Sequence, residues 1–157
     1  MGSFGEMIQY VLNSSSLGEI MTEQVSKFRP PKLLLDRFCK EYQVSKTEAL
    51  ERFEETKKFL VLSAANPGVS YSPSKIVDEM WHSFILNTRD YLAFCRQLGC
   101  FMHHIPSKNP SARKYSRTKR DLRKMFGELN EKYWSNDAAD SEGSSCDCCP
   151  FAEATEV

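Results

Sequence analysis

Residues 73–106 read PSKIVDEMWHSFILNTRDYLAFCRQLGCFMHHIP. This stretch holds all three histidines of the chain, two of its six cysteines and one of its two tryptophans. Ser72 followed by Pro73 predicts a helix start, with Ser72 as N-cap and Pro73 in the first turn. Apolar residues then recur at helical spacing through Trp81 and Tyr91 to about Leu98, and Gly99 suits a helix stop. The spacing predicts one helix over about 73–98. On such a helix Asp78 and His82 are i and i+4, so carboxylate and imidazole can meet one another or one ion.

The same signals extend outward in both directions. Pro31 suits the first turn of a helix reaching about Tyr42, with Leu34, Leu35 and Phe38 inside. Ser45 and Glu48 form a capping-box signature for a helix to about Ala65. Asn66-Pro67-Gly68 ends that helix. A last helix is expected over about 112–134, burying Leu122, Met125, Phe126, Leu129 and Tyr133. Residues 5–12 and 17–27 suggest weaker helical turns. No alternating strand pattern stands out. The expectation is an all-α fold, a small bundle of about four to five helices. Its parts are an N-terminal segment 1–29, a helical domain 30–134, and a disordered, acidic, cysteine-containing tail 135–157.

Net charge is zero, with 21 basic and 21 acidic residues among 157. The sum conceals an asymmetry. Residues 106–125 carry eight bases and one acid, and residues 126–157 carry eight acids and one base. Neutrality therefore does not exclude a polyanionic partner. The bases Arg113, Lys114, Arg117, Arg120, Arg123 and Lys124 make a patch on the last helix. Nucleic-acid contact through this helix is a third reading, against a solvated face balanced by the tail.

No apolar run approaches the roughly 20 residues of a membrane span. The N-terminal MGSFGEMIQYVLNSSS lacks the basic and long apolar regions of a secretory leader. Reduced thiols and a cytoplasmic or other reducing intracellular compartment are the corresponding expectations.

Two metal groups can be drawn. His82 and Cys95 would lie about 20 Å apart on an unbroken helix, too far to share an ion. One group is Asp78 and His82, joined by His103 or His104 if the following loop doubles back. The other is Cys95, Cys100, His103 and His104, with donor types suited to zinc or another transition metal. In the tail, Cys146, Cys148 and Cys149 form a Cys-x-Cys-Cys cluster that can bind soft metals, be palmitoylated, or carry no site. Buried pairing of Asp78 with His82 is the plain alternative to ligation. No phosphate loop, H-E-x-x-H or G-x-S-x-G motif occurs, so no catalytic residue is assigned.

Val77, Asp78, Trp81, His82, Leu86, Tyr91, Cys95, Gly99 and a late histidine (His103 or His104) stand in the order of a recurring V-D-x-x-W-H, Tyr, Cys, Gly, His pattern. In this the chain resembles the glycine-rich domain-containing protein-like family, over about residues 73–106. Phe84 replaces that family's second histidine, Phe94 replaces its acidic residue before the cysteine, and the glycine-rich region is absent. The resemblance implies a module and its key residues, with no reaction attached. The favoured expectation is a non-catalytic interaction or adaptor module with a protein partner and a metal site near the Trp-His helix. A metal-dependent protein or enzyme using Asp78, His82, His103 and His104 is the alternative.

Overall fold

The computed structural model describes residues 14–107, 111–135 and 145–151. The described elements are α1 (Ser14–Ser26), α2 (Lys32–Tyr42), α3 (Lys46–Ala65), α4 (Lys75–Ile85), α5 (Thr88–Leu98), β1 (Phe101–Ser107), α6 (Ala112–Phe126), α7 (Glu131–Trp134) and β2 (Ser145–Phe151). The all-α expectation holds for the body of the chain. The expected turns over 5–12 lie outside the described residues.

α3 is the hub. Helices α1, α2, α4 and α6 and strand β2 all pack against it. Its start follows the capping-box reading, since the Glu48 N–H donates to Ser45 Oγ at 3.1 Å. The Glu48 carboxylate does not reach back to complete the box; it pairs with Arg52 at 2.7 Å. Because neighbours surround it, α3 buries polar residues as well as Phe53, Phe59, Leu60 and Leu62. Each buried charge has a partner, as its desolvation requires. Lys57 pairs with Glu54 at 2.9 Å and donates to the Val25 and Phe28 carbonyls where α1 ends. Glu55 accepts from Trp134 Nε1 at 2.7 Å and pairs with Lys58 at 2.7 Å.

Several expectations need correction. There are seven helices among the described residues rather than four or five. The expected 73–98 helix is two helices, broken at Leu86–Asn87. Asn87 leaves helical geometry (φ −90°, ψ 66°), and its side-chain amide donates to the Ser83 carbonyl at 2.9 Å. That local bond competes with helix continuation. The first half also begins later, with Ser74 rather than Ser72 as N-cap, its Oγ accepting from the Val77 N–H at 3.2 Å. The expected 112–134 helix breaks at Gly127, whose φ of 85° suits glycine. The break turns Tyr133 and Trp134 into the core beside α3.

A further correction concerns strands. Phe101–Ser107 and Ser145–Phe151 form an antiparallel two-stranded ribbon, where a loop and a structureless tail were expected. In β1 burial does alternate: Phe101, His103 and Ile105 are exposed, while Met102 is buried and His104 largely so. Hydropathy does not, because the outward residues Phe101 and Ile105 are themselves apolar, and this hides the period of two. Residues 145–151 have no strand signature of their own; their pairing is a tertiary contact. Residues 136–144 and 152–157 lie outside the described residues.

An aromatic cluster joins the layers. Phe84 packs edge-on against Phe53 (5.1 Å), Tyr91 (5.1 Å) and Phe94 (5.5 Å), and Phe28 inserts from the α1–α2 connection. Phe84 and Phe94 are thus core residues. Trp134 closes the opposite side, stacking on Tyr115 and lying near Phe59. Trp134→Ala should destabilise the fold by about 3–5 kcal/mol, since it opens a cavity and also orphans Glu55. Leu33→Ala, at a side chain left 62% exposed, should change stability by less than about 0.5 kcal/mol. Urea denaturation of both variants checks the contrast.

Candidate metal centre

The site begins at the N-terminal half of α4. The chain enters that helix over residues 70–72, which α6 holds in place. The Ser72 N–H donates to Thr118 Oγ1 at 3.0 Å, and the Tyr71 hydroxyl donates to Asp121 at 2.9 Å. Asp78 in the first turn of α4 is buried, favourably placed near the helix N-terminus. His82 stands one turn later and is half exposed.

His104 arrives from β1. The strand is fixed by Tyr91, whose hydroxyl donates to the Met102 carbonyl at 2.5 Å and accepts from Trp81 Nε1 at 3.1 Å. Two residues on, the same face presents His104. Its Nε2 lies 2.8 Å from Asp78 Oδ1, with only 8% of the side chain exposed. The second carboxylate oxygen of Asp78 lies 3.4 Å from His82 Nδ1, which is also 3.1 Å from the Asp78 backbone carbonyl. The two imidazole rings lie 3.9 Å apart, and Trp81 packs edge-on against His104 at 4.4 Å.

The ligand atoms of Asp78, His82 and His104 lie within 4.8 Å of one another. Around a tetrahedral ion with bonds of about 2.0 Å, donor atoms stand about 3.3 Å apart. The observed separations of 2.8 and 3.4 Å straddle that value.

A cavity of about 520 Å³ opens over this cluster. Its walls include Asp78, His82 and His104 together with Tyr42, Lys75 and Glu79. Burial raises the Glu79 carboxyl pKa above its ordinary value, against the lowering effect of Arg52 at 3.3 Å. Burial likewise raises the Tyr42 phenol.

The remaining candidate residues are placed elsewhere. Among the described residues, the Asp78, His82 and His104 set is the one group of three or more such donors close enough to share an ion. Cys95, Cys100 and His103 do not join it. Cys95 is buried in the core at the α5 end, and Cys100 Sγ lies 3.7 Å from Met102 Sδ. His103 alternates to the exposed face and packs on Phe101. The break at Asn87 removes the straight-helix geometry that separated His82 from Cys95, yet Cys95 still stays outside the cluster. The Tyr91 hydroxyl positions the histidine strand, a role no sequence signal reveals.

The basic patch is partly compensated within the fold. Arg120 pairs with Asp121 at 2.8 Å, Arg123 with Glu131 at 3.2 Å, and Arg117 donates to the Ser70 carbonyl. Arg113 and Lys124 are exposed. Of the tail thiols, Cys146, Cys148 and Cys149 fall within β2, at register positions opposite Pro106, His104 and His103.

The fold and site define a mostly helical body carrying a carboxylate and two imidazoles at the mouth of a cavity. The family model for UCP032817-like proteins matches residues 21–137, and the chain belongs to that family. This corrects the resemblance to the glycine-rich domain-containing protein-like family. The matched span is nearly the whole described body rather than one helical pair. Several of the positions behind the resemblance have packing roles: Val77, Trp81, Tyr91 and Cys95 are buried, and Gly99 ends α5 at φ 92°. Neither the curated proteins nor the solved structures contain a match. No described helix is long and apolar enough to cross a membrane.

Burial pushes the Cys100 thiol from its ordinary 9 up to about 11 and raises that of Cys95. For Cys100 at pH 8, a rise of two units cuts the thiolate fraction about 100-fold, and higher intrinsic nucleophilicity recovers about tenfold. Native Cys100 should therefore react with iodoacetamide about tenfold more slowly than in the urea-unfolded chain, as mass spectrometry of timed samples would measure.

Proposed function

We propose that this chain is a metal-binding helical module in which Asp78, His82 and His104 hold one divalent transition ion, zinc in the first instance. The observation that carries the reading is the convergence of three ligand-type side chains from two separate elements on one point at a cavity mouth. Two imidazoles and a carboxylate suit zinc, and they suit ferrous iron in the facial arrangement. Three protein donors leave a coordination position for a further group, and the cavity lies on that side.

An isolated buried carboxylate is costly, so Asp78 needs positive charge nearby. Its two imidazoles supply that only when protonated. A divalent ion supplies it with both rings neutral, the state in which imidazole ligates. Trp81 and Tyr91 would act as the supporting shell, holding His104 in place from behind. An adaptor role for the same module is compatible with this reading, with the ion fixing the β1–α4 contact that a partner would recognise.

Elemental analysis of the purified chain, followed by zinc titration of the chelated protein, tests the proposal. The wild type should bind about one ion per chain, as one site of this type holds. His104→Ala should weaken binding at least about tenfold, since even supporting partners of metal ligands are worth that much. His103→Ala, on the other face of β1, should bind as the wild type does. A folded wild type that takes up no zinc or iron would overturn the proposal.

A further inference from the structure

Two free cysteines and a methionine meet where α5 hands over to β1. Gly99 stops the helix in the left-handed region at φ 92°, and its N–H donates to the Cys95 carbonyl at 2.9 Å. A stop of this kind commonly folds the residue after the glycine onto the one whose carbonyl is bonded, here Cys100 onto Cys95. Cys100 and Met102 are two residues apart at the start of β1, so they share its inward face. Cys100 Sγ lies 3.7 Å from Met102 Sδ. Burial raises the Cys95 thiol, while the Met102 backbone and the Tyr91 hydroxyl, in hydrogen-bonding reach of it, pull the other way. Burial also raises the Cys100 thiol, and the nearby Cys95 adds to that. Cys95 and Met102 are buried, and the half-buried Cys100 gives this sulfur group its access to solvent.

The donor chemistry selects the ion. Thiolate and thioether are soft ligands that favour Cu(I). Zinc wants four donors, and among the described residues no histidine or carboxylate joins the two cysteines within ligand distance. A three-coordinate ion with metal–sulfur bonds of about 2.3 Å sets its donors about 4.0 Å apart. The observed 3.7 Å is close to that spacing. Charge points the same way. Cu(I) displaces one thiol proton to solvent, so two thiols and a thioether become one thiolate, one thiol and the thioether. The single positive charge of the ion replaces that of the lost proton, and the buried group stays neutral.

We propose that Cys95, Cys100 and Met102 form a second, all-sulfur site that holds one Cu(I) ion at the junction of α5 and β1. This site stands independently of the Asp78–His82–His104 reading, whose donors are nitrogen and oxygen. Met102 serves both places: its carbonyl fixes the strand that carries His104, and its thioether is the neutral ligand of the sulfur site.

Competition with the chromophoric Cu(I) chelator bicinchoninate, in reducing, oxygen-free buffer, tests the site. Cysteines of the tail are soft donors too, so the reference is the full-length chain carrying Cys146→Ser, Cys148→Ser and Cys149→Ser. It should withdraw about one Cu(I) per chain from the chelator, as one site of this type holds. In that background Cys100→Ser and Met102→Leu should each weaken uptake at least about tenfold, as the loss of even a supporting partner of a metal ligand does. Leucine keeps the volume of Met102 and removes only the sulfur, so a purely packing role predicts unchanged uptake. His82→Ala, which removes a donor of the other cluster, should take up Cu(I) as the reference does. Far-ultraviolet circular dichroism confirms that each variant is folded. A folded reference chain that leaves all Cu(I) with the chelator overturns the proposal, and so does undiminished uptake by Met102→Leu. Zinc uptake is read separately: its failure beside intact Cu(I) uptake removes the Asp78–His82–His104 reading and leaves the sulfur site standing.

Discussion

The position of His104 depends on one hydroxyl group. Tyr91 of α5 accepts from the Trp81 indole of α4 and donates to the Met102 carbonyl of β1. Three elements are pinned by one oxygen, and all its partners are buried. A lost bond here would leave a buried donor or acceptor unsatisfied, which costs more than a typical hydrogen bond contributes. The consequence is geometric: with Met102 inward and its carbonyl held, the pleat of β1 sends His104 inward to Asp78. The same interaction is possible only because the chain breaks at Asn87, which lets α5 return alongside α4.

The surroundings of Asp78 show how the fold tolerates a buried carboxylate. The N-terminal turn of α4 favours it, and two imidazoles approach its two oxygens from different elements. Elsewhere the fold handles buried charge by local pairing. Lys57 completes the end of α1, and Glu55 anchors Trp134. Lys57 also lines a pocket, of about 170 Å³, whereas Asp78 shares the wall of a cavity of about 520 Å³ with two imidazoles, and it is that donor set that marks the candidate site.

Much of the helical frame was legible in the sequence. Pro31, the Ser45–Glu48 signature, the stop at Asn66-Pro67-Gly68 and the role of Gly99 all reflect local backbone chemistry, and each appears near the expected residue. Asp78 with His82 was legible for the same reason, since i and i+4 neighbours on a helix need no tertiary information. The breaks at Asn87 and Gly127 were harder to see. Both interrupt apolar patterns that keep helical periodicity on either side, so the period alone favours continuity. The family resemblance was overturned by the family match over residues 21–137; four of the positions it rested on, Val77, Trp81, Tyr91 and Cys95, are buried packing residues.

What the sequence determined by itself was therefore short in range: a mostly helical body, its caps and stops, an uneven distribution of charge, and two of the three residues of the candidate site. Tertiary structure decided which histidine completes that cluster. His103 and His104 are adjacent and chemically identical, and only the phase of β1, set by Tyr91 and Met102, sends one inward and the other to solvent. It also decided the strand pairing of the tail. Residues 145–151 lack a strand pattern, and their hydrogen-bonding partners come from β1, some forty residues earlier in the chain. Local preferences act over a few residues, whereas a site built from two elements needs the contacts that fix those elements against each other.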